Sequence, residues 1–267
     1  MSIQNVDGRF IDVNGAQLYA NVREGDGPTL IFLHYWGGTH RTWAPVLERL
    51  EPKQAFVAYD QRGWGKSANA PGPYSLTQHA DDARAIIDTV ARGPFVIVGH
   101  SAGGKVAQLL AARKPAGLAG VVLVAPAPAA PVGVTEELRG AVTHAYDNEA
   151  AVRQGIDMML TNGELSAELR QQIVEDSLSA GDDARLTWPR ESIVEDVSAG
   201  LDDVKVPVLV LGGSHDKIDP PTVLAEHLLP LIPTAKLTVL EGTGHLSPLE
   251  VPDQVAASIS GFIAQTR

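Results

Sequence analysis

The chain has 267 residues, 44% of them hydrophobic and 20% charged, the balance of a folded globular unit rather than of a disordered or membrane-embedded chain. A formal charge of −11, from 21 Lys and Arg against 32 Asp and Glu, argues against nucleic acid and anionic membrane as partners, because both demand a concentrated basic surface. The absence of cysteine removes a disulfide framework, a thiolate zinc site and a cysteine nucleophile together.

From the start of the chain, residues 1–7 show neither a basic n-region nor an apolar h-region, so no secretory signal is read and a cytoplasmic location is expected. Residues 10–13 and 17–23, joined through Asn14-Gly15, read as a hairpin, since Asn-Gly supplies the positive φ values of a tight turn. Short runs rich in β-branched residues follow at 29–33, 55–59, 95–99, 120–125, 206–212 and 235–240. They are apolar on both faces, the pattern of parallel strands covered by helices. Between them, apolar positions recurring every three or four residues predict helices at 41–50, 78–91, 102–113, 221–231 and 252–264. The fold class expected is α/β, a mostly parallel, doubly wound sheet that opens with antiparallel strands. No run is long enough to span a membrane, since the best stretch, 120–132, is broken by Pro126, Pro128 and Pro131. Residues 126–203 carry no strand signal but do carry helical spacing, such as Leu165, Leu169 and Ile173 behind Ser166 as an N-cap. They read as a helical cap inserted into a core made of 1–125 and 204–267, where it would roof a site at the carboxyl ends of the strands.

Chemistry enters at Gly99-His100-Ser101-Ala102-Gly103, directly after one strand and before a helix. A nucleophile elbow needs such a sharp turn, flanked by small residues, to lift a serine hydroxyl clear of the sheet. The helix start adds a free N–H from Ala102 where an oxyanion would form. The alternative is an ordinary Gly-rich turn. A phosphate-binding loop is excluded because Lys105 is followed by Val106, where a magnesium-holding Ser or Thr belongs; the second near match, Gly65-Lys66-Ser67, begins with Asp60 instead of glycine. Serine needs a base, and the strand-turn-helix order of serine, acid, histidine leaves His227 and His245. His227 lies in a helical pattern, whereas His245 lies in a glycine-rich loop after the last strand and is the expected base. Asp216, in the loop after the strand at 206–212, is the expected acid; its rival Asp219 precedes Pro220-Pro221 and is expected to cap a helix. With no H-E-x-x-H and no ligand spacing among eight histidines, neither metal nor cofactor is expected.

Together these segments resemble the α/β-hydrolase superfamily across nearly the whole chain. His34-Tyr35-Trp36-Gly37-Gly38 is similar to the family's loop after the third strand, 60–67 to its D-x-R-G-x-G-x-S stretch, and 212–220 and Gly244-His245 to its acid and base loops. Within the superfamily the likeness is to small esterases and cofactor-free haloperoxidase or perhydrolase-like members. The resemblance implies Trp36 N–H as second oxyanion donor beside Ala102. Tyr35 stands where the family carries glycine, leaving Gly37 and Gly38 to absorb the difference. His34 and Arg62 are assigned to loop architecture. Ser101 separates the chain from the dehalogenases and epoxide hydrolases, which use aspartate. The expected function is hydrolysis of small, largely apolar esters, with a small-molecule substrate, the oligomeric state left open, and Tyr35, Met158, Met159 and Trp188 as pocket lining. Perhydrolysis, C–C cleavage on the same triad, or ligand sensing with little turnover are the alternatives.

Overall fold

The computed structural model describes residues 6–266, so residues 1–5, read above for a leader, lie outside it. Eight strands, β1 (Asp7–Val13), β2 (Ala16–Arg23), β3 (Asp26–Leu33), β4 (Gln54–Tyr59), β5 (Phe95–His100), β6 (Leu118–Val124), β7 (Val208–Gly213) and β8 (Ala235–Leu240), form one sheet. Their order is β1-β2-β4-β3-β5-β6-β7-β8. β1 and β2 pair antiparallel about Asn14 and Gly15, at φ 45 and 76, and β2 pairs antiparallel with β4; every later pairing is parallel. The expected hairpin and parallel core are therefore both present.

Period-two alternation sorts the core side chains onto two faces. Ile31, Leu33, Ile97, Val121 and Leu123 point into one apolar cluster, and Leu30, Phe32, Val96, Val98, Val122 and Val124 into the other. Among the described residues ten α-helices follow in chain order: α1 (Ala44–Leu47), α2 (Leu76–Val90), α3 (Ala102–Ala112), α4 (Glu136–His144), α5 (Glu149–Gly155), α6 (Ala167–Ser177), α7 (Asp182–Arg190), α8 (Pro221–Val223), α9 (Ser247–Glu250) and α10 (Pro252–Gln265). α2 and α3 cover the first face with Ala83, Ile86, Ile87, Val106 and Leu110, while α1 and α10 cover the second with Val46, Leu47, Val255, Ile259 and Phe262. Such a double layer makes the strands apolar on both sides, which is why their sequence runs lack alternation.

Two expected helices are shorter than their periodicity. Residues 41–50 open as a 3₁₀ turn and are helical only over Ala44–Leu47, because Pro52 biases the preceding residue toward extended backbone and the chain must turn into β4. Residues 221–231 break into a turn of α8, a π turn and a 3₁₀ turn, since Pro230 has no N–H to continue the ladder. Between β6 and β7 the chain forms α4 to α7 and, among the described residues, no strand. Ser166 caps α6 by accepting from Leu169 N–H at 3.3 Å. A third apolar cluster, with Tyr35, Trp64, Tyr146, Ile156 and Leu246, joins these helices to the sheet's carboxyl edge. There β3 has β4 on one side and β5 on the other, so the loops after β3 and β5 flank the point where the chain reverses its winding, the usual place for a ligand crevice. No helix among the described residues is long and apolar enough to cross a membrane.

Candidate active site

The turn from β5 into α3 is built by exclusion. A Cβ on Gly99 would lie 2.5 Å from the carbonyl oxygen of Gly103, and one on Gly103 would strike the carbonyls of Leu33 and His34, so neither position admits a side chain without moving backbone. Ser101 between them sits at φ 52 and ψ −116, a conformation L residues rarely adopt. The strain is held by backbone hydrogen bonds, from Ser101 N–H to Val124 O and from Ala127 N–H to Ser101 O, each 3.1 Å.

His245 reaches the serine from the loop after β8. Its Nε2 lies 2.9 Å from Ser101 Oγ and its Nδ1 2.9 Å from Asp216 Oδ2. With Nδ1–H donated to the carboxylate, Nε2 presents its lone pair to the serine hydroxyl. Asp216 is fixed in turn, its Oδ1 accepting from Ile218 N–H at 2.8 Å and Asp219 N–H at 3.0 Å. Burial alone would raise the Asp216 pKa, but the facing imidazole and these amides hold it below its ordinary value. For His245 burial pulls downward, yet the Asp216 charge and hydrogen bond, with Asp219 and Glu250 beyond, carry its pKa above 6.5. The two loops meet through glycine: a Cβ on Gly213 would collide with the carbonyls of Thr243 and Gly244.

The loop after β3 closes through Gly38 N–H to Tyr35 O at 2.9 Å, with Gly37 at φ 93. This is how the chain accommodates Tyr35, whose buried ring packs 5.2 Å from that of His100. His34 keeps one tautomer, Nδ1–H donating to Tyr35 O at 2.8 Å and Nε2 accepting Gln61 N–H at 3.0 Å, and Arg62 binds both oxygens of Asp82. Among the described residues the backbone N–H groups of Trp36 and Ala102 have no acceptor. Both positions lie at the serine's end of the sheet.

Ser101 and His245 open into a cavity of about 380 Å³, whose wall includes Tyr35, Trp36, Met159 and Trp188. Two expectations are corrected here. Met158 is not part of the wall: the π turn of residues 156–160 turns Ile156 and Leu160 inward and leaves Met158 59% exposed. Asp219 caps nothing: Pro220 is the residue before α8 and no side chain caps that helix, while the Asp219 carboxyl is buried in the cavity wall.

The alpha/beta hydrolase family model matches residues 30–258. The chain belongs to that family. As in other alpha/beta hydrolases, the protein is an enzyme. It is 27% identical to the 2-(acetamidomethylene)succinate hydrolase of Mesorhizobium japonicum, over 96% of this chain and 94% of that one. It is 26% identical to a non-heme haloperoxidase of Rhodococcus erythropolis, over 90% and 93%. The esterase of Exiguobacterium antarcticum superposes with a TM-score of 0.84 at 21% identity, covering 97% of this chain and all 100% of that one, a likeness of fold.

Two supports of the alpha/beta hydrolase site escape a sequence reading. Glu250 in α9 accepts from Gly244 N–H at 2.9 Å and from Asn162 and Gly163 N–H at 2.7 Å each, tying the His245 loop to the helical segment. His100 donates Nε2–H to the His245 carbonyl at 2.9 Å, and burial lowers its pKa to about 3, so it stays neutral. A lone glutamate and a histidine inside the elbow carry no spacing signal of these roles; only tertiary contact defines them.

Proposed function

We propose that the protein is a serine hydrolase that cleaves small, largely apolar esters through an acyl-enzyme, with Ser101 as nucleophile, His245 as general base and acid, and Asp216 as the group that orients the imidazole. The observation that carries this reading is the continuous line of hydrogen bonds from Ser101 Oγ through His245 to Asp216, both 2.9 Å. Ser101 Oγ attacks the ester carbonyl as its proton passes to His245 Nε2. The tetrahedral oxyanion is received by the N–H groups of Trp36 and Ala102, and its collapse expels the alcohol, which takes the proton from His245. Water, deprotonated by the same nitrogen, then attacks the acyl carbon and releases acid and free serine. The mostly apolar wall suits an acyl chain of modest size. The haloperoxidase relative favours one second reading, in which hydrogen peroxide replaces water at deacylation and a peracid leaves.

A fluorophosphonate reagent is expected to label the folded protein once, at Ser101, as read by peptide mass mapping. Ser101→Ala should abolish both labelling and ester turnover. Labelling elsewhere, or unchanged turnover in Ser101→Ala, overturns the proposal; peracid formation measured with peroxide present decides between the two acyl fates.

A further inference from the structure

Lys105 stands one helical turn beyond Ser101 on α3, its N–H donating to the Ser101 carbonyl at 3.1 Å, and both residues line the same cavity. The lysine is 1% exposed. Among the described residues no carboxylate oxygen lies within 4.0 Å of its Nζ and no hydrogen bond holds it. Its Nζ is not among the fully enclosed unpartnered side-chain atoms of the described residues, so the stem is buried while the ammonium tip opens on the cavity. Burial pulls its pKa down to about 8 against the upward pull of Glu195, Asp196 and Asp219, so the cation persists at neutral pH.

The remaining wall sharpens the contrast. Ala127, Pro128, Pro131, Val134 and Val142 are apolar; apart from His245 and the neutral phenols of Tyr35 and Tyr146, the ionisable lining is Lys105, Lys217 and Asp219. Lys217 Nζ donates to the Met158 carbonyl at 2.9 Å, whereas burial raises the Asp219 carboxyl to about 7, which leaves it only partly ionised. In a chain of formal charge −11, this cavity leans positive. A cation held unpaired in an apolar cavity beside a nucleophile is complementary to an anion that arrives with the substrate.

We infer that Lys105 anchors a carboxylate on the acyl part of the substrate, so that among the small esters the apolar cavity admits, half-esters of short dicarboxylic acids, or lactones bearing a carboxylate, are turned over in preference to uncharged ones. The inference rests on the serine hydrolase reading of the same cavity, since an acyl group on Ser101 is held one turn from Lys105. The carboxylate sits on Lys105 while the methylene chain between it and the scissile carbonyl fills the apolar wall.

The test compares the mono-p-nitrophenyl ester of glutarate with p-nitrophenyl hexanoate, a neutral ester of similar length. Wild-type kcat/KM should favour the glutarate ester by about tenfold or more, as a charge-assisted hydrogen bond implies. Lys105→Met should erase that ratio, chiefly through KM, and Lys105→Arg should keep it. A wild type with no preference, or a Lys105→Met variant that retains it, overturns the inference. If Lys105→Met does not fold, wild-type protection decides: glutarate should slow fluorophosphonate labelling of Ser101 while glutaramide does not, and equal protection or none from both overturns it. Absence of any labelling at Ser101 without ligand is a separate result, and it strikes the serine hydrolase reading instead.

Discussion

The elbow around Ser101 and the helical segment of residues 126–203, expected to roof the site, reach their shapes by opposite means. In the elbow, Gly99 and Gly103 are pressed against backbone atoms on which no side chain could be accommodated. In the roof, α4 buries none of its residues, Gly140 within it has nothing within 4 Å of the place a Cβ would occupy, and Leu138, Met158 and Met159 are exposed. The roof is held by a few buried anchors, among them Val152, Ile156 and Ile173, and by Arg41, which reaches from the core to Asp176 at 2.6 Å. Contacts between backbones fix a geometry absolutely; contacts among side-chain tips permit exchange. On the proposed function, the chemistry lies where substitution is forbidden, and the preference for substrate where it is cheap.

Substitutions on the two sides should separate cleanly. The largest effect is expected at Asp216→Asn, which leaves the fold intact by circular dichroism but lowers kcat by about 10⁴, because an amide no longer favours the tautomer that accepts the serine proton. Its pH profile should move as well. As the proposed base, His245 must be neutral to act, and its pKa is raised above 6.5, so wild-type kcat/KM should rise with pH along a limb above that value. Loss of the Asp216 charge removes the main upward influence, and the limb of the variant shifts to lower pH. A limb that stays in place contradicts the role given to Asp216.

Next in size is Gly103→Ala, where the added methyl meets the carbonyl of Leu33 at 2.7 Å and that of His34 closer still. Thermal or denaturant unfolding should show a loss of about 3 kcal/mol, with ester turnover falling in step as the elbow distorts. A near-neutral result means the elbow can relax, and the contrast with the roof weakens. Smallest are the roof changes: Met159→Ala or Trp188→Ala should alter the ratio of kcat/KM between short and long acyl esters by about tenfold or less, while Ser101 labelling by a small reagent stays close to wild type. Met158→Ala, outside the cavity, should change neither quantity.

The parts of the molecule visible in the sequence are those governed by local rules. Strand runs, the Asn14-Gly15 turn, Ser166 as a cap and the glycine frame of Ser101 each depend on neighbours within a few residues. That His245 and Asp216 would meet Ser101 could be expected from chain order and from their places in loops after strands. Met158 and Asp219 went astray for a different reason. A π turn rotates the face that α-helical spacing assigns to Met158, and Pro220 takes the place before α8 that Asp219 was expected to fill, turning a surface cap into a buried carboxyl. Glu250 and His100 act on the backbone of residues distant in sequence or hidden by packing, which no periodicity encodes.

Trp36 belongs to both halves of the enzyme. Its backbone N–H is the proposed oxyanion donor, yet its indole stacks on Tyr146 with ring centroids 4.1 Å apart and donates to the Arg185 carbonyl at 2.9 Å. The Tyr146 hydroxyl returns a hydrogen bond to the Trp36 carbonyl at 2.8 Å, and Ser177 binds the next carbonyl, that of Gly37, at 3.1 Å. The helical segment thus grips the very peptide proposed to stabilise the reaction's negative charge. On that proposal the two share a joint: exchanges that preserve Tyr146, Ser177 and the Arg185 carbonyl should leave speed and selectivity independent, and exchanges that disturb them should slow turnover as they broaden selectivity.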